Sequence, residues 1–175
     1  IFRTSVTTDI NASVSGSLFG KVPTRFSIDN MDNSGLLMTS RFRRTTGNLS
    51  ISPSIFDDHL KFNITGTYSY TFQNKASEDA IKNALSYDPT QSVYDENSPY
   101  GGYTEWITQS TGRPVGVSNP VSMLKNKHDV QNFKRFFGNI NMDYKFHFLP
   151  DLRLIVNAGL DSKELDGHVV VNKNS

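Results

Sequence analysis

The stretch LKFNITGTYSYTFQ, residues 60–73, alternates without interruption between two kinds of side chain. Its even positions are apolar or glycine, and its odd positions are polar. Successive residues of an extended chain point to opposite faces, so the pattern predicts a β-strand with one apolar and one polar face. Strands of soluble proteins usually run for about 5–6 residues, whereas a tilted strand that crosses a bilayer needs about 9–11. The length therefore raises an outer-membrane β-barrel as a candidate fold.

The same alternation recurs along most of the chain and predicts an all-β, antiparallel fold of about six strands in consecutive hairpins. Gly20 and Pro23 indicate a short turn over Ser17 to Pro23, Pro53 ends the third strand, and LPD (Leu149 to Asp151) is predicted as a tight turn. The predicted strands cover residues 6–16, 22–31, 43–53, 59–73, 133–148 and 151–162.

The composition excludes several classes of protein. The chain is 36% hydrophobic with a mean hydropathy of -0.45, and no run of about 18 apolar residues occurs, so helical membrane spans are excluded. Alternating barrel strands are compatible with such a polar average. A net charge of +1 is no nucleic-acid footprint. Cysteine is absent, which excludes a disulfide framework and a thiolate metal site.

The alternation stops between residues 74 and 130, where we expect one long loop. SEDAIKNALS, residues 77–86, predicts a short helix with Ser77 as the N-cap and two acidic residues in the first turn. The rest is rich in Pro, Gly, Tyr, Ser and Asn. A loop of this length inside a compact domain is usually functional or disordered, and its aromatic residues argue against disorder.

Alternation does not reveal whether the apolar face meets lipid or a protein core. The strand lengths, the aromatic residues near strand ends and the contrast between short and long connections all favour a membrane barrel. A soluble or surface-exposed β-rich ligand-binding module remains the alternative. Phe137 is the one aromatic residue that the alternation places on the polar face. The residues predicted to face lipid are Leu60, Phe62, Ile64, Tyr68, Tyr70, Phe72, Ile140, Met142, Tyr144 and Phe146.

Several segments together carry a resemblance to a known family: IFRTSVTTDINASVSG, NSGLL, LSYDPTQSVYDE, YGGYTEW, SNPVSML and VQNFKRFFGNINMDYKFHFLPDLRL. Taken in order, they resemble the SusC-like TonB-dependent outer-membrane transporters of Bacteroidetes. The resemblance implies a barrel of roughly 22 strands with a plugged lumen, located in the outer membrane of a Gram-negative cell.

The resemblance also implies partners for the protein. These are TonB, acting through a plug that this chain lacks, a SusD-like surface lipoprotein that acts as a lid, outer-membrane lipid, and an oligosaccharide or peptide substrate. Nucleic acid is not among them. We expect the chain to be one slice of the barrel wall from a longer protein, with the loop at 74–130 facing outward.

No residue pattern points to catalysis or to a cofactor. No nucleophile elbow surrounds any serine, so an enzyme is not predicted. Asp57, Asp58 and His59 sit at a turn, where aspartate commonly forms the turn itself. Asp95 and Glu96 lack the spacing and the distal glutamate of an EF-hand. We therefore predict neither a metal site nor a cofactor.

The long loop contains the strongest candidate contact site. Tyr100, Tyr103 and Trp106 offer flat rings that match the apolar faces of sugars, and Glu105 and Arg113 offer hydrogen bonds. Three interpretations remain open for these residues: contact with a ligand, contact with the lid lipoprotein, and packing of the loop on itself.

Overall fold

The computed structural model describes residues 1–149 and 151–172, which form one antiparallel sheet and a helical loop. The strands lie side by side in chain order, except that the short β4 pairs only with β5. This arrangement confirms the predicted all-β, antiparallel class. The elements are β1 (Thr7–Leu18), β2 (Val22–Ser34), β3 (Arg41–Ile51), β4 (Ser54–Ile55), β5 (Leu60–Lys75), α1 (Asp79–Ser86), α2 (Pro120–Asn126), β6 (Lys127–Lys145) and β7 (Arg153–Val171).

Cross-strand pairing collects the apolar side chains on one face of the sheet. Residues directly opposite each other share a face, and one such row runs Val14, Phe26, Leu49, Gly66, Gly138 and Leu160. We call this side the apolar face and the other side the polar face. Their separation follows directly from the period-2 pattern of the sequence.

Within residues 1–149 and 151–172, no protein layer covers the apolar face. Among the described residues, the buried apolar side chains are those of Ala80, Pro120, Val121 and Leu124, and none of them belongs to the sheet. Ile140 and Leu160 remain 47% and 61% exposed. Phe62 and Met142 lie side by side in one row and Ile64 and Ile140 in the next, rather than converging in an enclosed core. A soluble module with its apolar side turned inward would need such a core.

The connections at the two ends of the sheet differ in length. At one end, residues 19–21 join β1 to β2, residues 56–59 join β4 to β5, and β6 passes to β7 between Lys145 and Arg153. In that last turn the Leu152 amide donates to the Leu149 carbonyl at 2.9 Å. Pro150, the centre of the predicted LPD turn, lies outside the described residues. The other end has residues 35–40 and the long loop, residues 76–126.

Several predicted strand boundaries differ from the structure. The turn predicted over Ser17 to Pro23 is confined to residues 19–21, and Pro23 lies inside β2. β3 ends at Ile51 and a separate short strand, β4, follows Pro53. β6 begins at residue 127 rather than 133 and ends at 145, so Phe146 lies beyond it.

The largest difference is β7, which was predicted to end at residue 162 and continues to 171. Residues 163–171 pair with residues 127–135 of β6. In this part of β7, however, apolar side chains such as Leu165 and Val169 occupy the polar face. A prediction based on one continuous apolar face therefore ends β7 too early, because the backbone pairing continues after the side-chain pattern has changed.

The helices of the long loop also differ from the prediction. Glu78, not Ser77, is the N-cap of α1, and its side chain makes no capping hydrogen bond. The second helix, α2, was not predicted. Its start could have been recognised from the Asn119–Pro120 pair, because asparagine is a favoured N-cap and proline is favoured at the first helical position.

Candidate functional site

The long loop is organised around Asn119, whose side chain is fully buried. Its Oδ1 accepts hydrogen bonds from the amides of Val121 and Ser122 at 3.0 and 3.3 Å and so caps α2. Its Nδ2 donates to the carbonyls of Val93 and Thr104 at 2.8 and 3.1 Å. One side chain thus fastens the start of a helix to two extended segments of the loop.

Glu105 takes part in the same arrangement. Its Oε1 accepts a hydrogen bond from the backbone amide of Asn119 at 3.0 Å. Burial raises the pKa of the Glu105 carboxyl, and this hydrogen bond opposes the rise only partly. The structure therefore gives Glu105 a role in positioning the loop.

A cavity of about 310 Å³ lies beside this carboxylate, between α1, α2 and the loop ends of β6 and β7. Most of the residues around it are polar, including Asp79, Tyr100, Glu105, Ser122, Asn126 and Lys127, although much of the surface that they present is apolar. The cavity brings together two of the predicted site residues, Tyr100 and Glu105.

The predicted aromatic residues have different environments. The Tyr100 hydroxyl donates to the carbonyl of Gly112, and Tyr103 packs on Tyr94 with ring centroids 5.5 Å apart. Both rings contribute to packing within the loop. Trp106 lies outside the cavity lining and is 43% exposed.

Trp106 and Arg113 lie on a small hairpin at residues 106–115. The hairpin is closed by backbone hydrogen bonds from Val115 to Trp106 at 2.6 Å and from Thr108 to Arg113 at 2.9 Å. Ile107 and Val115 are 45% and 50% exposed beside the indole. The open end of the hairpin therefore presents exposed apolar side chains, and the cation of Arg113 lies on the same hairpin.

The residues predicted to face lipid lie on the apolar face of the structure, with one exception. Those of β5 are its alternate residues, and those of β6 pair with them in register, as Leu60 does with Tyr144. Phe146 follows the end of β6, and its ring packs against Tyr144 with a centroid separation of 5.1 Å. Tyr70 and Phe72 share the apolar face but lie in rows that also contain charged side chains.

The polar face holds a second concave surface, with a volume of about 710 Å³. Hydroxyl and amide groups of β3 and β5 form much of it, together with Phe42, Phe133 and Phe137. Arg135 is held by Asp161 at 2.8 and 3.0 Å, and its guanidinium lies 6.0 Å from the Phe137 ring centre. Sequence reasoning singled out Phe137 alone, although the register places Phe42 and Phe133 on the same face.

Two further findings concern membrane helices and metals. No helix in residues 1–149 and 151–172 is both long enough and apolar enough to cross a membrane. In that same part of the chain, no three His, Cys, Asp or Glu side chains are grouped in a way that could hold a metal ion.

Comparison with known proteins gives one informative match. No protein-family model matches the sequence. The TonB-dependent receptor SusC of Bacteroides thetaiotaomicron is 42% identical over 173 residues, which covers 91% of this chain and 17% of the relative. The chain therefore spans about a sixth of the length of the curated relative that it matches. The match confirms the resemblance seen in the sequence, and with it the outer-membrane location.

Proposed function

Since this chain is a SusC-like segment of an outer-membrane β-barrel, we propose that it forms part of the wall of a TonB-dependent active transporter. The complete transporter imports oligosaccharides or peptides and works with a SusD-like surface lipoprotein. Its role is transport rather than catalysis. TonB acts on it through a plug that belongs to the rest of the protein.

The observation that carries this proposal is the uncovered apolar face of the sheet. Side chains such as Ile140 and Leu160 are about half exposed although they lie in the middle of long strands. Leaving so much apolar surface in water is unfavourable by about 25 cal/mol for each Å². Contact with lipid removes that cost, and the hydroxyl-rich and amide-rich polar face then lines an aqueous lumen.

Two neighbouring residues of β6 provide a direct test of this orientation. Ile140 lies on the apolar face and Asn141 lies on the polar face. In the complete receptor, Ile140→Arg is expected to lower the free energy of unfolding by about 2–4 kcal/mol, because it places a charge near the bilayer midplane. Denaturant unfolding of receptor reconstituted in lipid vesicles measures this loss.

Asn141→Arg is the matched control, because it adds the same side chain one residue away on the opposite face. We expect its effect on unfolding to be mild. Equal tolerance of arginine at the two positions would contradict the proposed wall, and so would a larger loss at Asn141.

Transport itself is tested by growth. Deletion of the gene for the complete protein is expected to abolish growth on one oligosaccharide or peptide source in a panel, and complementation is expected to restore it. Deletion of TonB should abolish the same growth. If uptake continues in a strain without TonB, the proposed energy coupling is wrong.

The open end of this hairpin is the part of the long loop that we propose as the contact with the lid lipoprotein. Trp106, Ile107 and Val115 are exposed apolar residues of the kind that protein interfaces bury. Trp106→Ala in the complete receptor should weaken co-purification of the lipoprotein, whereas Phe19→Ala, at the opposite end of the sheet, should leave it unchanged. Equal recovery of the lipoprotein with both variants would exclude this contact.

A further inference from the structure

The apolar face changes character part of the way along the strands. From Leu60 to Tyr68 it is mainly aliphatic and aromatic, over about 26 Å of strand at roughly 3.3 Å per residue. At the tilt of about 35–45° found in membrane barrels, this length covers roughly 20 Å of height, compared with about 25 Å for the usual apolar band. Toward the long loop, the Tyr70 row contains Lys134 and Glu164, and the row after it contains Asp32, Arg43 and Asp166.

The polar face changes in the opposite sense at the same level. Met31, Phe42, Phe133 and Leu165 occupy it beside or beyond the Tyr70 row. The two faces of the sheet thus exchange polarity where the apolar band ends. The charged side chains on this part of the apolar face, toward the long loop, are compatible with water and not with hydrocarbon.

At this boundary, two arginines of the apolar face share one carboxylate. Arg41 binds both oxygens of Asp32, at 3.1 and 2.8 Å, and Arg43 binds Oδ2 at 3.2 and 2.9 Å. The arginine side chains are 49% and 47% exposed, while Asp32 is 28% exposed. Each guanidinium donates these two hydrogen bonds from its Nε and Nη2. Within the described part of the chain, the Nη1 of neither arginine donates a hydrogen bond.

The surroundings of this arginine pair complete a mixed basic and aromatic surface. Phe72 is the register partner of Arg43 on β5, and Tyr70 lies one row nearer the apolar band. Lys134 shares the Tyr70 row but is paired with Glu164 at 3.3 Å. Asp166 lies three strands away on β7. The excess positive charge is therefore located at Arg41 and Arg43.

We propose that Arg41 and Arg43 bind the phosphate of a lipid headgroup in the outer leaflet. This site rests on the proposed barrel wall, because it requires the apolar face to meet lipid. Guanidinium groups form charge-assisted hydrogen bonds with phosphate oxygens, and aromatic rings favour the headgroup level of a bilayer. The arginine pair lies at that level and has donors to spare, with Phe72 opposite Arg43 in the register and Tyr70 one row away.

Lipid retention by the purified complete receptor tests this site. Receptor stripped of lipid in detergent is titrated with lipid A that carries its phosphates, and binding is followed by native mass spectrometry. The double variant R41Q/R43Q is expected to bind lipid A about tenfold more weakly. Dephosphorylated lipid A should bind the unmodified receptor and the double variant equally.

Arg44→Gln is the matched control, since Arg44 follows Arg43 and lies on the polar face beside Asp29. It should leave lipid A binding unchanged. Asp32→Asn tests the site without removing a guanidinium, and we expect its binding of lipid A to equal or exceed that of the unmodified receptor. A similar loss for R44Q and R41Q/R43Q, or no dependence on lipid phosphate, would overturn the proposal.

The experiments distinguish failure of the headgroup site from failure of the proposed barrel wall. If Ile140→Arg is costly and Asn141→Arg is mild, the sheet faces lipid as proposed, and unchanged lipid A binding by R41Q/R43Q then refutes the headgroup site alone. If both arginine substitutions in β6 are tolerated equally, the wall is refuted and the headgroup site with it.

Discussion

A single polar residue, Asn119, makes several of the hydrogen bonds that hold the long loop together. Asn119 caps α2 and donates to two carbonyl groups, and its own amide binds Glu105. Sequence reasoning selected Glu105 as a contact for a ligand or for the lid, with packing within the loop as the open alternative, and it missed Asn119 altogether. The capping role of Asn119 could be recognised from the Asn119–Pro120 pair, but its bonds to Val93 and Thr104 and the role of Glu105 depend on contacts between segments more than ten residues apart, which local sequence patterns do not reveal.

Replacement of Asn119 by alanine is expected to loosen the whole loop. It removes an N-cap, which costs about 0.5–2 kcal/mol, and one hydrogen bond to each of the carbonyls of Val93 and Thr104, at about 0.5–1.5 kcal/mol for each bond. The two carbonyls keep the Thr104 amide and the Tyr87 hydroxyl as their other donors. Amide hydrogen exchange of residues 76–126 in the complete receptor should become faster. Asn97→Ala is the control, because Asn97 is exposed, and unchanged exchange in N119A would contradict the central role of Asn119.

Glu105 makes the stability of the loop dependent on pH. Its pKa is raised above the ordinary value of 4.5 by burial, so the folded loop holds a proton that the opened loop releases. This contribution is fully present below pH 4.5 and is lost as the pH rises through the raised pKa of the folded state. Hydrogen exchange of the loop should therefore accelerate over that range in the unmodified receptor.

Glu105→Gln keeps a side-chain oxygen that can accept from the Asn119 amide but removes the titrating group. Loop exchange in this variant, corrected for the intrinsic effect of pH, should stay constant over the same range. An unchanged pH dependence in E105Q would assign the effect to another group.

At the scale of elements, the hairpin of β1 and β2 depends on a turn with left-handed backbone. Phe19 and Gly20 have φ values of 52° and 72°, a region that costs a residue with a side chain about 1–2 kcal/mol. Gly20→Val should therefore lower the stability of the complete receptor by at least about 1 kcal/mol, because a β-branched residue fits this region poorly. Thermal unfolding in detergent micelles measures the change.

Gly16→Val on the same hairpin is the control with the opposite expected sign. Gly16 lies inside β1, and a Cβ at this position meets no atom within 4 Å. Valine is favoured in strands, so this substitution should be neutral or stabilising. Equal destabilisation by the two substitutions would show that the turn conformation is not the cause.

The strands themselves were largely predictable, since those that cross the apolar band alternate at most positions, with exceptions such as Phe137 in β6 and Ile155 in β7, which lie on the polar face. The predicted boundaries were wrong where interactions other than the side-chain alternation determine the structure. β7 continues beyond residue 162 through backbone pairing with β6 while its side-chain pattern changes. Ser77 has the right chemistry for an N-cap, but α1 begins one residue later, with Glu78 as its N-cap and without a capping hydrogen bond from that side chain.

The whole sheet has two unpaired edges, at β1 and β7. All residues of both strands are exposed, and β7 runs for 19 residues. Exposed edges of this length present rows of unpaired backbone groups, and soluble proteins normally protect them. Further strands of the complete barrel would satisfy both edges.

The isolated chain therefore provides the last test. Its unpaired edges and its uncovered apolar face should both drive association in water, so we expect chain expressed alone to be insoluble in buffer without detergent. Detergent should recover it by covering the apolar face, although the free edges should still leave it prone to self-association. Sedimentation and thermal melting with and without detergent distinguish these states. A monomer with a cooperative melt in detergent-free buffer would mean that the apolar face has found a partner within this chain, and the sheet could not then be a lipid-facing wall.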